Sequence, residues 1–198
     1  MLNVILSIAG YFLGCINSSI ILTRLIEKKD VRQFGSKNAG FTNTLRSFRM
    51  RTAILVFVGD ALKAAVALSL TLLFAPQALY FVAISVIIGH NFPIFYGFKG
   101  GKGVLVSIVS ILFCDWRVGL IIFAVSVAIM FISGYVSLGS VIGAVLLPIM
   151  ALIFRFGDIQ FLLFSIVISA LSIFMHRQNI HRLLLGTENR FGRRKSGG

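Results

Sequence analysis

The stretch from Gly89 to Gly103 reads GHNFPIFYGFKGGKG and separates two long apolar runs of the chain. It contains five glycines and two lysines, Lys99 and Lys102. Glycine lets a backbone approach a ligand closely and turn its N–H groups toward one point, and each lysine adds a cationic donor. The stretch therefore predicts a phosphate-binding loop, with an ordinary basic turn between two helices as the alternative.

The chain as a whole is far too apolar for a soluble domain. Of its 198 residues, 58% are hydrophobic and 13% are charged, and the mean hydropathy is +0.96. The formal net charge of +13 would suggest nucleic-acid binding in a soluble protein, but here the basic residues lie in a few segments between apolar runs. We therefore predict an all-α, polytopic integral membrane protein that binds no nucleic acid.

Apolar runs of the length needed to cross a membrane recur along the chain. A hydrocarbon core of about 30 Å requires about 20 helical residues. We predict seven transmembrane helices in a single domain over residues 1–198. The runs cover residues 3–24, 52–74, 78–95, 103–114, 117–133, 137–154 and 159–175.

Basic residues indicate the orientation of these helices. Only Arg117 and Arg155 would lie on the side opposite to the others, so the positive-inside rule places the N-terminus outside and the C-terminus in the cytoplasm. The cytoplasmic basic residues follow the first and the last runs: Lys28, Lys29, Arg32, Lys37, Arg46, Arg49 and Arg51, then Arg177, Arg182, Arg190, Arg193, Arg194 and Lys195.

The fourth run, residues 104–114, is too short to span the bilayer alone. Its residues would form about 16 Å of helix against a core of about 30 Å. Residues 115–117 are typical of a tight turn at the outer interface, so the missing depth lies on the cytoplasmic side. We predict that residues 97–103 enter the membrane and line a polar pocket in which the helix N-terminus favours an anion. Local thinning of the bilayer or a displaced helix is the alternative.

One predicted helix carries two charges inside its apolar run. Asp60 and Lys63 are spaced i, i+3, so they share a helix face and can neutralise each other. The pair either braces the pocket or contacts the substrate directly.

Two further segments are rich in directed polar groups. Residues 35–43 read GSKNAGFTN, in which Ser36, Asn38 and Asn43 offer hydrogen bonds, and the nearby Arg46 can grip a phosphate. Residues 176–188 read HRQNIHRLLLGTE. If the last helix continues through them, His176 and Asn179 share a face and point into one pocket. An ordinary basic loop and a histidine at a helix end are the alternatives.

Several common chemistries are disfavoured by spacing. The glycine loop is not a nucleotide-binding P-loop, because Gly103 follows Lys102 where that motif requires Ser or Thr. Phe95 stands five residues after His90, so the His-x-x-x-x-Asp pattern of soluble acyltransferases is missing. Cys15 and Cys114 have no partner at metal-ligand spacing, and we predict no metal site.

Three motifs occur in order, at residues 35–43, 89–103 and 176–188. Together they resemble the bacterial acyl-phosphate-dependent glycerol-3-phosphate acyltransferases, the PlsY family. The resemblance implies a seven-helix enzyme of the bacterial inner membrane that needs no cofactor. Such an enzyme moves a fatty acyl group from acyl phosphate to the 1-hydroxyl of glycerol 3-phosphate, and its product, lysophosphatidic acid, begins phospholipid synthesis.

The resemblance also implies site residues. A shorter family element, Tyr-Val-Ser-Leu-x-Ser, lies at 135–140, whereas Lys37 and Asn189 depart from the family pattern. We predict a catalytic role for Ser36, Lys102, His176 and Asn179. The predicted substrate-binding residues are Asn38, Asn43, Arg46, His90, Lys99, Gly100, Gly101, Gly103, Ser137 and Ser140.

The expected mechanism relies on positioning two substrates. Backbone N–H groups of residues 100–103 and Lys102 would hold the acyl phosphate, with its acyl chain in a groove open to lipid. Arg46 with His176 and Asn179 would hold glycerol 3-phosphate. The hydroxyl proton would go to a donor phosphate oxygen or to His176. We expect these two substrates and membrane lipid as partners, and a monomer that works from the cytoplasmic face.

Two other functions fit part of the sequence. A small transporter for an anionic metabolite would explain the basic pocket, but its site should lie near the midplane and be reachable from both sides. A structural lipid-binding protein would explain the basic tail.

Overall fold

The computed structural model describes residues 1–191, and its regular structure over that range is helical. It forms two compact units, Met1–Cys114 and a second that begins at Asp115. The first contains α1 (Leu2–Cys15), α2 (Ser18–Ile26), α3 (Phe41–Ser47), α4 (Met50–Phe74), α5 (Leu79–Asn91) and α6 (Val104–Cys114). The second contains α7 (Trp116–Ser133), α8 (Val136–Phe154), α9 (Ile159–Met175) and α10 (Arg177–Leu184). Short 3-10 helices cover Val31–Gln33, Pro76–Ala78 and Ile94–Tyr96.

Five stretches of residues 1–191 are long and apolar enough to cross a membrane: Leu2–Ile26, Met50–Phe74, Pro76–Tyr96, Trp116–Ser133 and Val136–Phe154. The bent pair α9 and α10 makes a sixth if it counts as one span. Helix α6, with 11 residues, is shorter, as its sequence predicts. The chain is thus an all-helical membrane protein, and the basic residues Arg193, Arg194 and Lys195 lie outside the described range.

The first apolar run forms one candidate span, Leu2–Ile26, but it consists of two helices and not of the single continuous helix predicted over residues 3–24. Helix α1 ends at Cys15 and α2 begins at Ser18. Asn17 causes the break, because its side-chain oxygen accepts a hydrogen bond from the N–H of Ile20 and so caps α2. The Asn17 amide also donates to the carbonyl of Ala39 at 3.3 Å, which ties the break to the segment of residues 35–43.

Glycines bring α1 and α5 into close contact. A Cβ on Gly14 would collide with the carbonyl of Val86, and a Cβ on Gly89 would collide with the carbonyl of Tyr11. Gly10 packs against the side chain of Val82, which a Cβ would meet at 2.9 Å. Later residues of α1 meet later residues of α5, so the two helices run parallel.

Aspartates begin two of the helices in the second unit. Asp115 caps α7 by accepting hydrogen bonds from the N–H groups of Arg117 and Val118, and Asp158 caps α9. The Arg117 guanidinium, 2.8 Å from the Asp115 carboxylate, donates a hydrogen bond that lowers the pKa of that carboxyl. The chain turns between α6 and α7 as predicted, but only Asp115 lies outside a helix, and residues 116–117 already belong to α7.

Asn17→Ala should lower the free energy of unfolding by about 1–3 kcal/mol, because it removes a helix cap and a buried hydrogen bond to the segment of residues 35–43. The measurement is SDS-induced unfolding of the purified protein in mixed micelles. Ser7→Ala is the control, since the Ser7 hydroxyl donates to Asn3 within α1. Equal stability of the two variants would contradict the role given to Asn17.

Candidate functional site

A buried ion pair lies at the centre of the first unit. Lys63 Nζ is 2.9 Å from Asp60 Oδ1, and the two side chains are only 5% and 3% exposed. The same ammonium donates to the carbonyl oxygens of Gly14 at 3.1 Å and Ile16 at 2.7 Å, which the break between α1 and α2 leaves without helical partners. Asp60 also accepts from the N–H of Ser18. Between bracing and substrate contact, this geometry favours bracing.

His90 extends this cluster toward the glycine loop. The His90 Nδ1 atom lies 3.0 Å from Lys63 Nζ, and only 4% of the surface of His90 is exposed. The other edge of the ring packs on Gly101, where a Cβ would collide with Nε2. The structure places His90 among protein groups, against the prediction that it binds substrate directly.

The glycine loop folds back along the last turn of α5. The N–H of Gly100 donates to the carbonyl of Asn91 at 3.2 Å, and the N–H of Gly101 donates to the carbonyl of His90 at 3.1 Å. A Cβ on Gly100 would also collide with the His90 carbonyl. The prediction that these two N–H groups hold phosphate is therefore wrong for this conformation, because both are already donated.

The loop reaches far along the first unit before α6 begins. Lys63 lies about 20 Å from the start of α4 and about 17 Å from its end, given the rise per residue of a helix. Gly101 packs on His90, and His90 contacts Lys63. The loop therefore reaches close to the middle of α4, where Lys63 lies. Gly103 has a φ of +74° and precedes the first turn of α6, whose leading N–H groups have no acceptor within the helix. These N–H groups and the adjacent Lys102 make the cationic end of the loop.

A network around Asn43 holds the segment of residues 35–43. Its Nδ2 donates to the carbonyls of Val31, Phe34 and Asn38, and its Oδ1 accepts from the N–H of Ser36 at 2.9 Å. With 1% of its surface exposed, Asn43 supports the loop itself, against the prediction that it binds substrate. Lys37, which departs from the family pattern, has a φ of +59°, a conformation that residues with a side chain rarely adopt.

The first two motifs meet at Ala39. Its carbonyl accepts from Asn17 and lies against the Cα of Gly101. Ser36 is exposed, Asn38 and Arg46 are partly exposed, and Arg46 lies in the last turn of α3. Within the first unit, the segment of residues 35–43 therefore contacts the glycine loop.

An arginine anchors the beginning of the glycine loop. Arg32 donates to the carbonyls of Tyr96 at 3.0 Å and Lys99 at 3.4 Å, while the side chain of Lys99 is exposed. Arg32 also bonds to Asp30, and this hydrogen bond, helped by Arg24, holds the pKa of the Asp30 carboxyl far below its usual range. The carboxylate stays ionised and keeps Arg32 in place.

One interpretation of the sequence required the last membrane helix to continue straight through the third motif. The structure shows that it does not. Helices α9 and α10 meet at His176 and are bent by 59°. His176 Nδ1 lies 2.8 Å from the carbonyl oxygen of Ser172. A carbonyl only accepts, so Nδ1 carries a proton.

Glu188 organises the polar residues of the second unit. Its Oε1 accepts from Ser137 at 3.1 Å and from Asn179 at 2.8 Å, and its Oε2 accepts from Arg182 at 2.7 Å. The carboxylate is only 6% exposed. Ser140 lies one turn after Val136 and donates to its carbonyl. Sequence reasoning included Glu188 in a motif but gave it no role, because its partners lie up to 51 residues away.

The helical fold and these polar clusters define a class of protein. A cationic loop at a helix N-terminus suits a phosphate group. In the second unit taken by itself, serine, histidine and asparagine side chains supply polar donors and acceptors. The chain is therefore an integral membrane protein equipped for a phosphate-bearing substrate.

Comparison with known proteins identifies the family. The family model "Glycerol-3-phosphate acyltransferase" matches residues 4–186. The chain is 39% identical over 195 residues to the glycerol-3-phosphate acyltransferase of Thermoanaerobacter pseudethanolicus, covering 98% of each protein. It is 38% identical over 197 residues to that of Alkaliphilus metalliredigens, covering 99% and 100%. The chain belongs to the glycerol-3-phosphate acyltransferase family.

Solved structures agree with this assignment. This chain is similar to the crystal structure of PlsY, an integral membrane glycerol 3-phosphate acyltransferase, in its glycerol 3-phosphate form. The comparison gives a TM-score of 0.90 and 34% sequence identity, and it covers 97% of this chain and 96% of that one. The lysophosphatidic acid form of PlsY has a TM-score of 0.87 at the same identity and coverage. The family resemblance predicted from the three motifs is confirmed.

Glu188→Gln should destabilise the protein by about 1.5–3 kcal/mol. If the amide oxygen of Gln keeps the hydrogen bonds from Ser137 and Asn179, its NH₂ group faces the Arg182 guanidinium, and the charge-assisted hydrogen bonds of the carboxylate are lost. SDS titration in mixed micelles measures the loss. Glu27→Gln is the matched control, since Glu27 accepts a hydrogen bond from Thr52 that an amide oxygen can also accept. A Glu188 variant as stable as the Glu27 variant would contradict this account.

Proposed function

We propose that the protein transfers a fatty acyl group from acyl phosphate to the 1-hydroxyl of sn-glycerol 3-phosphate and releases lysophosphatidic acid and phosphate. As a family member it is an acyltransferase that acts on glycerol 3-phosphate. The likeness to PlsY in its glycerol 3-phosphate form carries the proposal. The acyl phosphate donor follows from the resemblance of the three motifs to the acyl-phosphate-dependent family, and the cationic glycine loop is chemically suited to it.

The cationic end of the glycine loop suits the phosphate of an acyl phosphate. Lys102 and the leading N–H groups of α6 offer positive charge and donors to a departing phosphate. An acyl phosphate is already activated, so its phosphate leaves without a strong acid. Gly100 and Gly101 contribute by allowing the loop to pack on α5, and Gly103 by its left-handed conformation. Lys99 guides the anion from the exposed side of the loop.

The remaining site residues suit glycerol 3-phosphate. Arg46 can bind its phosphate bidentately, and Asn38 and Asn179 offer amides. Because His176 carries a proton on Nδ1, Nε2 is the ring nitrogen that would take the proton of the attacking hydroxyl in this proposal. Ser36, Ser137 and Ser140 would orient that hydroxyl against the acyl carbon. The rate then comes from positioning and from stabilising the oxyanion.

We place the protein in the bacterial inner membrane as a monomer, acting as a single domain. Seven crossings, with α6 completed by the loop before it, put the N-terminus outside and the substrate groups on the cytoplasmic side. The parallel packing of α1 and α5 supports this topology, because it requires both helices to cross in the same direction. The exposed apolar helix surfaces would contact membrane lipid.

Lys102→Gln should lower phosphate release by at least about 100-fold, because the departing phosphate loses its cation. The assay follows phosphate released from palmitoyl phosphate by purified protein in lipid, with and without glycerol 3-phosphate. Lys28→Gln, which changes an exposed lysine before the first motif, is the matched control. Full activity of the Lys102 variant would contradict the phosphate site, and inactivity of a folded wild-type protein would contradict the proposed reaction.

His176→Gln separates the two routes for the hydroxyl proton. If His176 is the base, turnover falls about 100- to 10,000-fold, and the dependence on imidazole deprotonation disappears from the residual rate. Turnover measured between pH 5 and pH 9 gives both quantities. A pH profile that is the same in the variant and the wild type would exclude His176 as the base and assign the proton to a phosphate oxygen.

A further inference from the structure

The buried cation of Lys63 takes no part in the proposed transfer, yet it has four partners. Its Nζ lies between 2.7 and 3.1 Å from the carbonyls of Gly14 and Ile16, Asp60 Oδ1 and His90 Nδ1. An ammonium has three N–H groups, so these four acceptors share all of its hydrogen-bonding capacity. Lys63 therefore acts on the protein itself.

Contact with Lys63 determines which nitrogen of His90 carries the proton. An ammonium only donates, so Nδ1 of His90 accepts at 3.0 Å. A neutral imidazole that accepts at Nδ1 has its proton on Nε2. Asp60 Oδ1 is 3.8 Å from the same Nδ1, which is too far for a competing hydrogen bond.

His90 in turn holds the glycine loop at two points. Its Nε2 edge packs on the Cα of Gly101, and its carbonyl accepts from the N–H of Gly101 at 3.1 Å. Lys102 is the next residue. The orientation of the Gly101 backbone therefore determines the direction in which the Lys102 side chain points.

We propose that Lys63 is a positioning residue for the phosphate-binding loop: it holds His90 in the Nε2-protonated tautomer, and His90 fixes Gly101 and, through it, Lys102. Asp60 balances the charge and so allows the ammonium to stay in the apolar interior. This inference rests on the proposed function, in which the loop binds the phosphate of the acyl donor.

Kinetics of Lys63→Met separate positioning from general damage. The KM for palmitoyl phosphate should rise about 10- to 100-fold because Lys102 is displaced, whereas the KM for glycerol 3-phosphate stays at its wild-type value. The double variant Asp60→Asn/Lys63→Met removes both charges and so avoids an unpaired buried carboxylate. Thr71→Val is the control on the same helix, because the buried Thr71 hydroxyl donates only along α4, to Ala67.

Nitrogen-15 NMR of histidine-labelled protein reads the tautomer directly, and the chain has only three histidines. Wild-type His90 should show a protonated Nε2 and an unprotonated Nδ1, and the double variant should lose this preference. His90→Asn provides a conservative comparison, since it keeps an acceptor near Lys63 but lacks the ring edge that meets Gly101. It should fold and show the same selective rise in the KM for palmitoyl phosphate.

Two results would overturn the proposal: an unchanged His90 tautomer in the double variant, or KM values for both substrates that change in parallel. A wild-type protein without turnover would instead contradict the proposed function. The NMR comparison needs no turnover and still decides whether Lys63 sets the state of His90.

Discussion

A buried ammonium must have its charge balanced and its N–H groups accepted, and Lys63 meets this requirement by drawing together several segments of the first unit. Asp60 balances the charge from one turn away on the same helix. The carbonyls of Gly14 and Ile16 accept only because α1 ends before α2 begins. Removing one member of such a pair costs about 3–5 kcal/mol, since the other charge remains buried.

This constraint extends from the apolar interior to the polar loops. His90 contacts both Lys63 and Gly101. Asn17, at the break between α1 and α2, donates a hydrogen bond to the carbonyl of Ala39, which lies against the same glycine. The glycine loop and the segment of residues 35–43 are therefore fixed by buried contacts before a substrate arrives. In the second unit, Glu188 has a comparable role for serine, asparagine and arginine. A reaction that depends on positioning benefits from loops that need little reorganisation.

The sequence predicts the parts of this structure that depend on local pattern. Apolar runs predict where most of the long helices lie, though not that the first run contains two of them, and the length of residues 104–114 predicts that α6 is short. The break at Asn17 escaped prediction because a single amide in an apolar run carries no periodic signal, and its partners were unknown. The N–H groups of Gly100 and Gly101 were assigned to phosphate because the carbonyls that accept them become neighbours only when the loop folds back.

The central claim is that acyl phosphate is the donor for acylation of glycerol 3-phosphate. Its most direct test is mass-spectrometric detection of lysophosphatidic acid after purified protein in lipid receives glycerol 3-phosphate with palmitoyl phosphate or with palmitoyl-CoA. We expect lysophosphatidic acid acylated at the 1-position when palmitoyl phosphate is supplied, and the palmitoyl-CoA reaction shows whether a thioester can replace it. Formation of the product from palmitoyl-CoA alone would contradict the claim.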